Sequence, residues 1–314
     1  MDIFKKPEFT EEGLIFYFHP YNFYSQKVLF VLNEKNIPFI PYIVDLSRGE
    51  QYSDWFLDLS PTGDVPVLQD GCFVIPNSSN IINYIQVKYQ TDKNCMLFQK
   101  SPTVQSEKLK VVKNLLKNLP IGALALGSFI HEDLQLNPKP PFIGPARKTC
   151  LNNNERVTSI LKSSIDNENI SSTVLSKKLE QQNQRRKISE NREEFQKLLD
   201  CVSHTLQIID NELGKDIENQ FLCGSYLTID DINLGLFLYR LYTLGYENYF
   251  WGNGKLPYIE KYLKSFRNSK SFEKSVPTNI DILKEVWSKT PANYKIGAGV
   301  LGVAMFAAGA LIHK

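Results

Sequence analysis

The spacing of apolar residues changes type once along these 314 residues, and that change constrains the fold more than any single motif. Up to about residue 90, short apolar runs alternate with helix-spaced segments. Strands are expected at 14–18, 39–44, 65–69 and 73–75, with a hairpin turn at Asp70-Gly71. Helices are expected at 24–35, 52–59 and 78–89, where Val28, Val31 and Leu32, then Ile81, Ile82 and Ile85, recur on one face. A strand, crossover helix and strand make parallel neighbours, whereas a hairpin makes antiparallel ones. The order β-α-β-α-β-β-α therefore demands a mixed sheet covered by helices on both faces, the thioredoxin-like α/β arrangement, over residues 14–90.

Beyond a polar linker at 90–101 the strand pattern vanishes, which predicts an all-α domain over residues 101–275. The apolar run IGALALGSFI (121–130) is too short to cross a bilayer and is expected as a core helix. Pro138, Pro140, Pro141 and Pro145 then break the pattern. Residues from about 148 to 197 are polar, with few large apolar side chains. They predict a helical insertion of exposed helices and loops, partly disordered. Helical periodicity returns at 198–213 and continues through 221–240, 256–266 and 271–275.

Composition excludes several functions. With 36 basic against 34 acidic residues the net charge is +2, so nothing electrostatic points to nucleic acid. Five widely spaced cysteines without a CxxC pair argue against a disulfide framework or a zinc site, and the four scattered histidines lack metal-ligand spacing. The first residues, MDIFKKPEFTEEG, are acidic and lack an apolar stretch, unlike a signal or transit peptide.

Residues 296–312 carry no charged or hydrogen-bonding side chain, with Lys295 before them and His313 and Lys314 after. As a helix they would extend roughly 25 Å, slightly under a hydrocarbon core of about 30 Å that snorkelling lysines can complete. The expectation is a C-terminal transmembrane helix serving as a tail anchor behind a juxtamembrane linker at 276–295. Lys284, Lys289 and Lys295 fit the cytosolic side.

Three motifs bear on chemistry. In TGDVPVL (62–68) a cis Val65-Pro66 bond would cost only about 0.5–1 kcal/mol and would turn the Val65 backbone toward an extended peptide; a trans proline at a strand start is the alternative. Asn77-Ser78 opens a helix whose N-terminus favours a carboxylate, and Ser78 fits equally as a helix cap. In GSYLTIDDI (224–232), Thr228 and Asp231 have capping-box spacing, a folding signal and not an acid–base pair.

TGDVPVL, NSSNIINYI, GSYLTIDDI and YIEKYLKSFRNSKSF together resemble the glutathione S-transferases from residue 14 to about 275, apart from the insertion. The start SQKVLFVLNEKNI, the segment WGNGKLP, the insertion and the apolar tail narrow the resemblance to the tail-anchored ganglioside-induced differentiation-associated protein 1 family. The resemblance implies Val65 and Pro66 for the cysteinyl backbone of glutathione and Ser78 for its γ-glutamyl carboxylate. Asn77 stands where transferases commonly have Glu or Gln, which weakens recognition of the ligand's amino group. The thiol-activating hydroxyl of such enzymes follows the first strand, where Asn22 or Phe23 stands here, leaving Ser25 and Tyr24 as candidates. It further implies a protein of the mitochondrial outer membrane, with the peroxisome as a second address, acting in mitochondrial fission and redox homeostasis. That protein would be chiefly a scaffold with glutathione as a weak ligand, protein partners at 148–197 and a homodimeric state; the alternative is a membrane-anchored transferase or peroxidase. No metal is implied.

Overall fold

The computed structural model describes residues 4–8, 13–89, 103–117, 119–134, 137–142, 144–166 and 172–277. The expected linker at 90–101, nearly all of the juxtamembrane segment and the apolar run 296–312 lie outside them.

The first half holds β1 (Leu14–Phe18), α1 (Phe23–Glu34), β2 (Ile40–Ile43), α2 (Asp54–Leu59), β3 (Val67–Asp70), β4 (Phe73–Pro76) and α3 (Ser78–Lys88). The sheet order is β2-β1-β3-β4, with β1 and β2 parallel and the other pairs antiparallel. All five residues of β1 are buried because both faces of the central strand are covered. Leu14, Phe16 and Phe18 pack with Val28, Val31, Ile81 and Ile85 of α1 and α3. The alternate residues Ile15 and Tyr17 join Trp55, Phe56 and Val67 on the opposite face. Alternation along one strand thus feeds two cores. This is the thioredoxin-like fold.

The second half is helical: α4 (Thr103–Lys117), α5 (Ile121–Ile130), α6 (Gly144–Asp166), α7 (Ser172–Glu190), α8 (Arg192–Gly214), α9 (Ile229–Leu244), α10 (Glu247–Phe250), α11 (Pro257–Arg267) and α12 (Lys270–Ser275). Among the described residues no strand after Pro76 joins the sheet. The central helix α9 buries Ile232, Leu234, Gly235, Leu236, Phe237, Leu238 and Thr243, residues that fall on most sides of its axis, so burial along it shows no single apolar stripe. Residues 1–276 form one compact unit, and a continuous core runs from β1 to Val276.

Several boundaries differ from expectation: β3 begins at Val67 and not at 65, which leaves Val65 and Pro66 before the strand, and two further differences lie in the helical half. Helix α8 starts six residues earlier than the apolar periodicity suggests, because Asn191 caps it by accepting from Glu194 N–H and Glu193 and Glu194 favour the first turn. Pro145 begins a helix instead of breaking one: in a first turn its missing N–H is not needed. The insertion forms mostly exposed helices, as its polarity predicts, yet Leu161 and Leu175 are wholly buried with Tyr52 and Leu57. Helices α6 and α7 therefore form a strap docked on the thioredoxin-like half, while α7 also packs along α5. Among the described residues no helix is long and apolar enough to cross a membrane.

Candidate functional site

Strand register assembles the site. Val67 pairs with both Tyr17 and Pro76, so the loop after β1, the Val65-Pro66 step before β3 and the Asn77-Ser78 start of α3 meet at one end of the sheet. Residues up to 59 positions apart in sequence become neighbours through two antiparallel pairings.

The Val65-Pro66 bond is cis. Among the described residues neither the N–H nor the C=O of Val65 has a hydrogen-bond partner, although its side chain is buried. An unpaired donor and acceptor on one residue match the edge that an extended peptide presents. Across from it, Asn77 is the cap of α3: its Oδ1 accepts from Ser79 N–H at 2.9 Å. Ser78 is the first helical residue instead, and neither its N–H nor its hydroxyl has a partner among the described residues. Two donors on one residue at a helix N-terminus suit a carboxylate. Asn77 holds φ 75° and ψ 129°, a conformation that costs a non-glycine residue about 1–3 kcal/mol and that persists where the surroundings impose it. With its oxygen engaged in the cap, Asn77 offers no charge to an ammonium group.

The loop after β1 is equally committed. Asn22 caps α1, its Oδ1 accepting from Ser25 N–H at 2.9 Å. Ser25 is fully buried and its Oγ accepts from His19 N–H at 3.4 Å. Tyr24 is 50% exposed, with its ring edge-on to Phe23. Of the two candidate hydroxyls, only that of Tyr24 belongs to an open side chain. In the second half the capping box closes on both sides: Asp231 N–H donates to Thr228 Oγ1 while Asp231 Oδ2 accepts from Thr228 N–H at 2.8 Å. Asp231 Oδ1 also accepts from Leu222 N–H and Tyr262 Oη, both at 2.8 Å, so this carboxylate is wholly structural.

Three cations around this end of the sheet carry no motif. Lys178 of α7 donates to Thr62 O at 2.6 Å, Gly63 O at 3.1 Å and Asp64 Oδ1 at 2.5 Å, fastening the strap to the loop that leads into Val65. Burial lowers its pKa, with Asp64 opposing. Arg240 of α9 donates from Nη2 to Tyr21 O at 2.8 Å and Gln26 Oε1 at 3.2 Å, and its guanidinium lies 5.2 Å from the Phe142 ring. Desolvation brings its pKa down to about 10. Lys27 of α1 has its ammonium 4.5 Å from the Phe23 ring centre and 5.5 Å from that of Tyr24. Its pKa falls to about 8, chiefly through burial, with Asp230 opposing. Sequence spacing cannot flag such residues, because each acquires its role from a distant loop or helix. Among the described residues no group of His, Cys, Asp and Glu could hold a metal ion.

A profile described as the glutathione S-transferase N-terminal domain matches residues 23–87. Over 275 residues the chain is 27% identical to human ganglioside-induced differentiation-associated protein 1-like 1, covering 84% of this chain and 73% of that protein. The mouse protein of the same name is likewise 27% identical over 279 residues, covering 84% of this chain and 74% of that protein. Among solved structures, a beta-etherase from a Sphingobium strain superposes with a TM-score of 0.59 at 18% identity, covering 84% of this chain and 98% of that one. Human glutathione transferase theta-2, solved in complex with glutathione and an unknown ligand, gives 0.55 at 18% identity over 93% and 99%. At such identity these structures establish the shared fold.

Proposed function

We propose that this protein is a glutathione-type binding scaffold of the mitochondrial outer membrane, anchored through residues 296–312 and acting in mitochondrial fission and redox homeostasis. The observation that carries the binding half is the set of unpaired groups on Val65 and Ser78, set at one end of the sheet, beside two asparagines whose oxygens are both engaged in helix caps. Such a site holds a cysteinyl backbone and a carboxylate, but of the two candidate hydroxyls Ser25 is sealed and Tyr24 is open to water. A bound thiol then stays near the ordinary cysteine pKa of about 8.5 and is mostly protonated at neutral pH. The membrane address is supported by the apolar run with its lysine flank and by similarity to the ganglioside-induced differentiation-associated proteins across most of the chain. The strap α6–α7, with its mostly exposed surface, is where protein partners would attach, and a homodimer is compatible with the scaffold role.

Calorimetric titration of the full chain with glutathione tests the site: weak binding that Ser78→Ala reduces further, without conjugating turnover, is expected. Robust turnover of a general electrophile abolished by Tyr24→Phe would instead establish the alternative, a membrane-anchored transferase or peroxidase. Deleting residues 296–314 should release the protein to the cytosol; persistent membrane association after deletion, or peroxisomal targeting of the intact chain, would refute the assigned address.

A further inference from the structure

We infer that the exposed face of α11 and α12 docks on the anionic leaflet of a lipid bilayer. Charge is segregated along the chain. Residues 255–276 hold six basic and two acidic residues and 277–314 hold four and two, whereas residues 1–254 hold 26 and 30. On α11, Lys261, Lys264 and Arg267 recur at helical spacing and are all exposed, as are Lys270 and Lys274, one turn apart on α12. The side chains of Lys264, Lys270 and Lys274 make neither a hydrogen bond nor an ion pair among the described residues. Exposed cations on and beside α8 are instead neutralised, Arg192 by Asp133, Lys197 by Glu194 and Lys215 by Glu212. Lys261 Nζ donates to Ile217 O at 2.8 Å, and the Ile217 side chain, which lines the same cleft, is 52% exposed. An apolar side chain among unpaired lysines suits a bilayer interface, where the one enters beneath the phosphates and the stems of the others reach up to them.

The exit point of the chain favours this face over the strap, whose surface also exposes lysines such as Lys148 and Lys177. Val276 is buried and Ser275 Oγ accepts from Asn33 Nδ2 at 2.9 Å, so the chain leaves the body at a fixed point, two residues after Lys274. Nineteen residues then lead to the apolar run that begins at 296, a reach of at most about 70 Å. A body tethered that close meets the leaflet at a high effective concentration, and each lysine or arginine at an anionic surface strengthens binding about fivefold. The inference rests on the membrane reading of residues 296–312 and adds to it the surface that faces the lipid and the headgroup charge it selects.

The test is flotation of the chain lacking residues 296–314, which keeps the continuous core that ends at Val276, with vesicles of phosphatidylcholine alone or mixed with phosphatidylserine. Binding to the mixed vesicles only, weakened by added salt, is expected. Lys264→Gln combined with Lys270→Gln should lower that affinity about 30-fold, whereas Lys148→Gln combined with Lys177→Gln on the strap should change it less than about twofold. Equal flotation with both vesicles, or loss of binding in the strap variant instead, would overturn the inference. Retention on polyglutamate without flotation on either vesicle would also overturn it and mark the face as one for an acidic protein. Because variants can misfold, the lipid and salt dependence of the parent sequence stands as the independent readout. The full chain on phosphatidylcholine vesicles reads the anchor separately: failure to float there refutes the anchor, while binding of the shortened chain to the mixed vesicles still supports the lipid-binding face.

Discussion

Replacing Lys178 by methionine removes the fastening between the strap and the loop before Val65 while keeping a side chain of similar length. Three acceptors lose their donor. The Asp64 carboxylate is 62% exposed and returns to water, so that ion pair contributes at most about 1 kcal/mol. Thr62 O lies on an exposed residue and rehydrates as well. Gly63 is buried, and its carbonyl, left without a charged donor, costs about 1–3 kcal/mol. Against this stands relief from desolving an ammonium that is only 15% exposed, whose lowered pKa marks a real penalty. The balance is a loss of about 2 kcal/mol, roughly 30-fold in the folding equilibrium. Urea denaturation should show it as a lower midpoint at unchanged slope. Hydrogen exchange at Val67 and Leu68 of β3 should quicken more than exchange in α9, because the loosened element is local. Lys178→Arg should recover only part of the loss, since a planar guanidinium cannot converge on three acceptors as an ammonium does. Stability within about 0.5 kcal/mol of the parent, with unaltered exchange at Val67 and Leu68, would refute the view that the strap positions this loop.

Gly127→Ala should destabilise despite better helix propensity, because an added Cβ would lie 2.1 Å from Cε2 of the fully buried Phe195; about 1–3 kcal/mol of overpacking outweighs about 1 kcal/mol of propensity, and a raised melting temperature would contradict it. Thr228→Ala should cost about 1 kcal/mol as a lost cap, whereas Asp231→Ala should cost about 3 kcal/mol or more by orphaning Leu222 N–H and Tyr262 Oη, and equal effects in denaturant would show the carboxylate to be no hub. For Lys27 the folded pKa of about 8 lies below the unfolded value of about 10.4, so the folded state binds fewer protons across that interval and stability rises with pH there. Measured against Lys27→Met, the parent should therefore be less stable by a constant amount below pH 8 and regain on the order of 1–3 kcal/mol by pH 10; a flat difference would mean an ordinary lysine.

The sequence by itself determined the elements whose signals are local. Alternating and helix-spaced apolar residues marked β1, α1 and α3, Asp70-Gly71 marked the hairpin, and Thr228 with Asp231 marked a helix start, because each depends on neighbours within a turn or two. It also brought Val65, Pro66, Asn77 and Ser78 into one list of candidates. Which of these groups remain unpaired was decided only by the tertiary structure. Asn77 rather than Ser78 caps α3, and Ser25 is sealed beneath His19, outcomes set by backbone conformation and burial that no residue type encodes. The polar insertion shows the same division. Its composition points to exposed helices, loops and partial disorder, but in the structure Leu161, Leu175 and Lys178 help to dock it, and their contacts with Tyr52, Leu57 and residues 62–64 span more than a hundred positions. Pairings at that separation are selected by packing of the whole chain, where a few buried methyl groups and one satisfied ammonium outweigh many solvated side chains that contribute almost nothing.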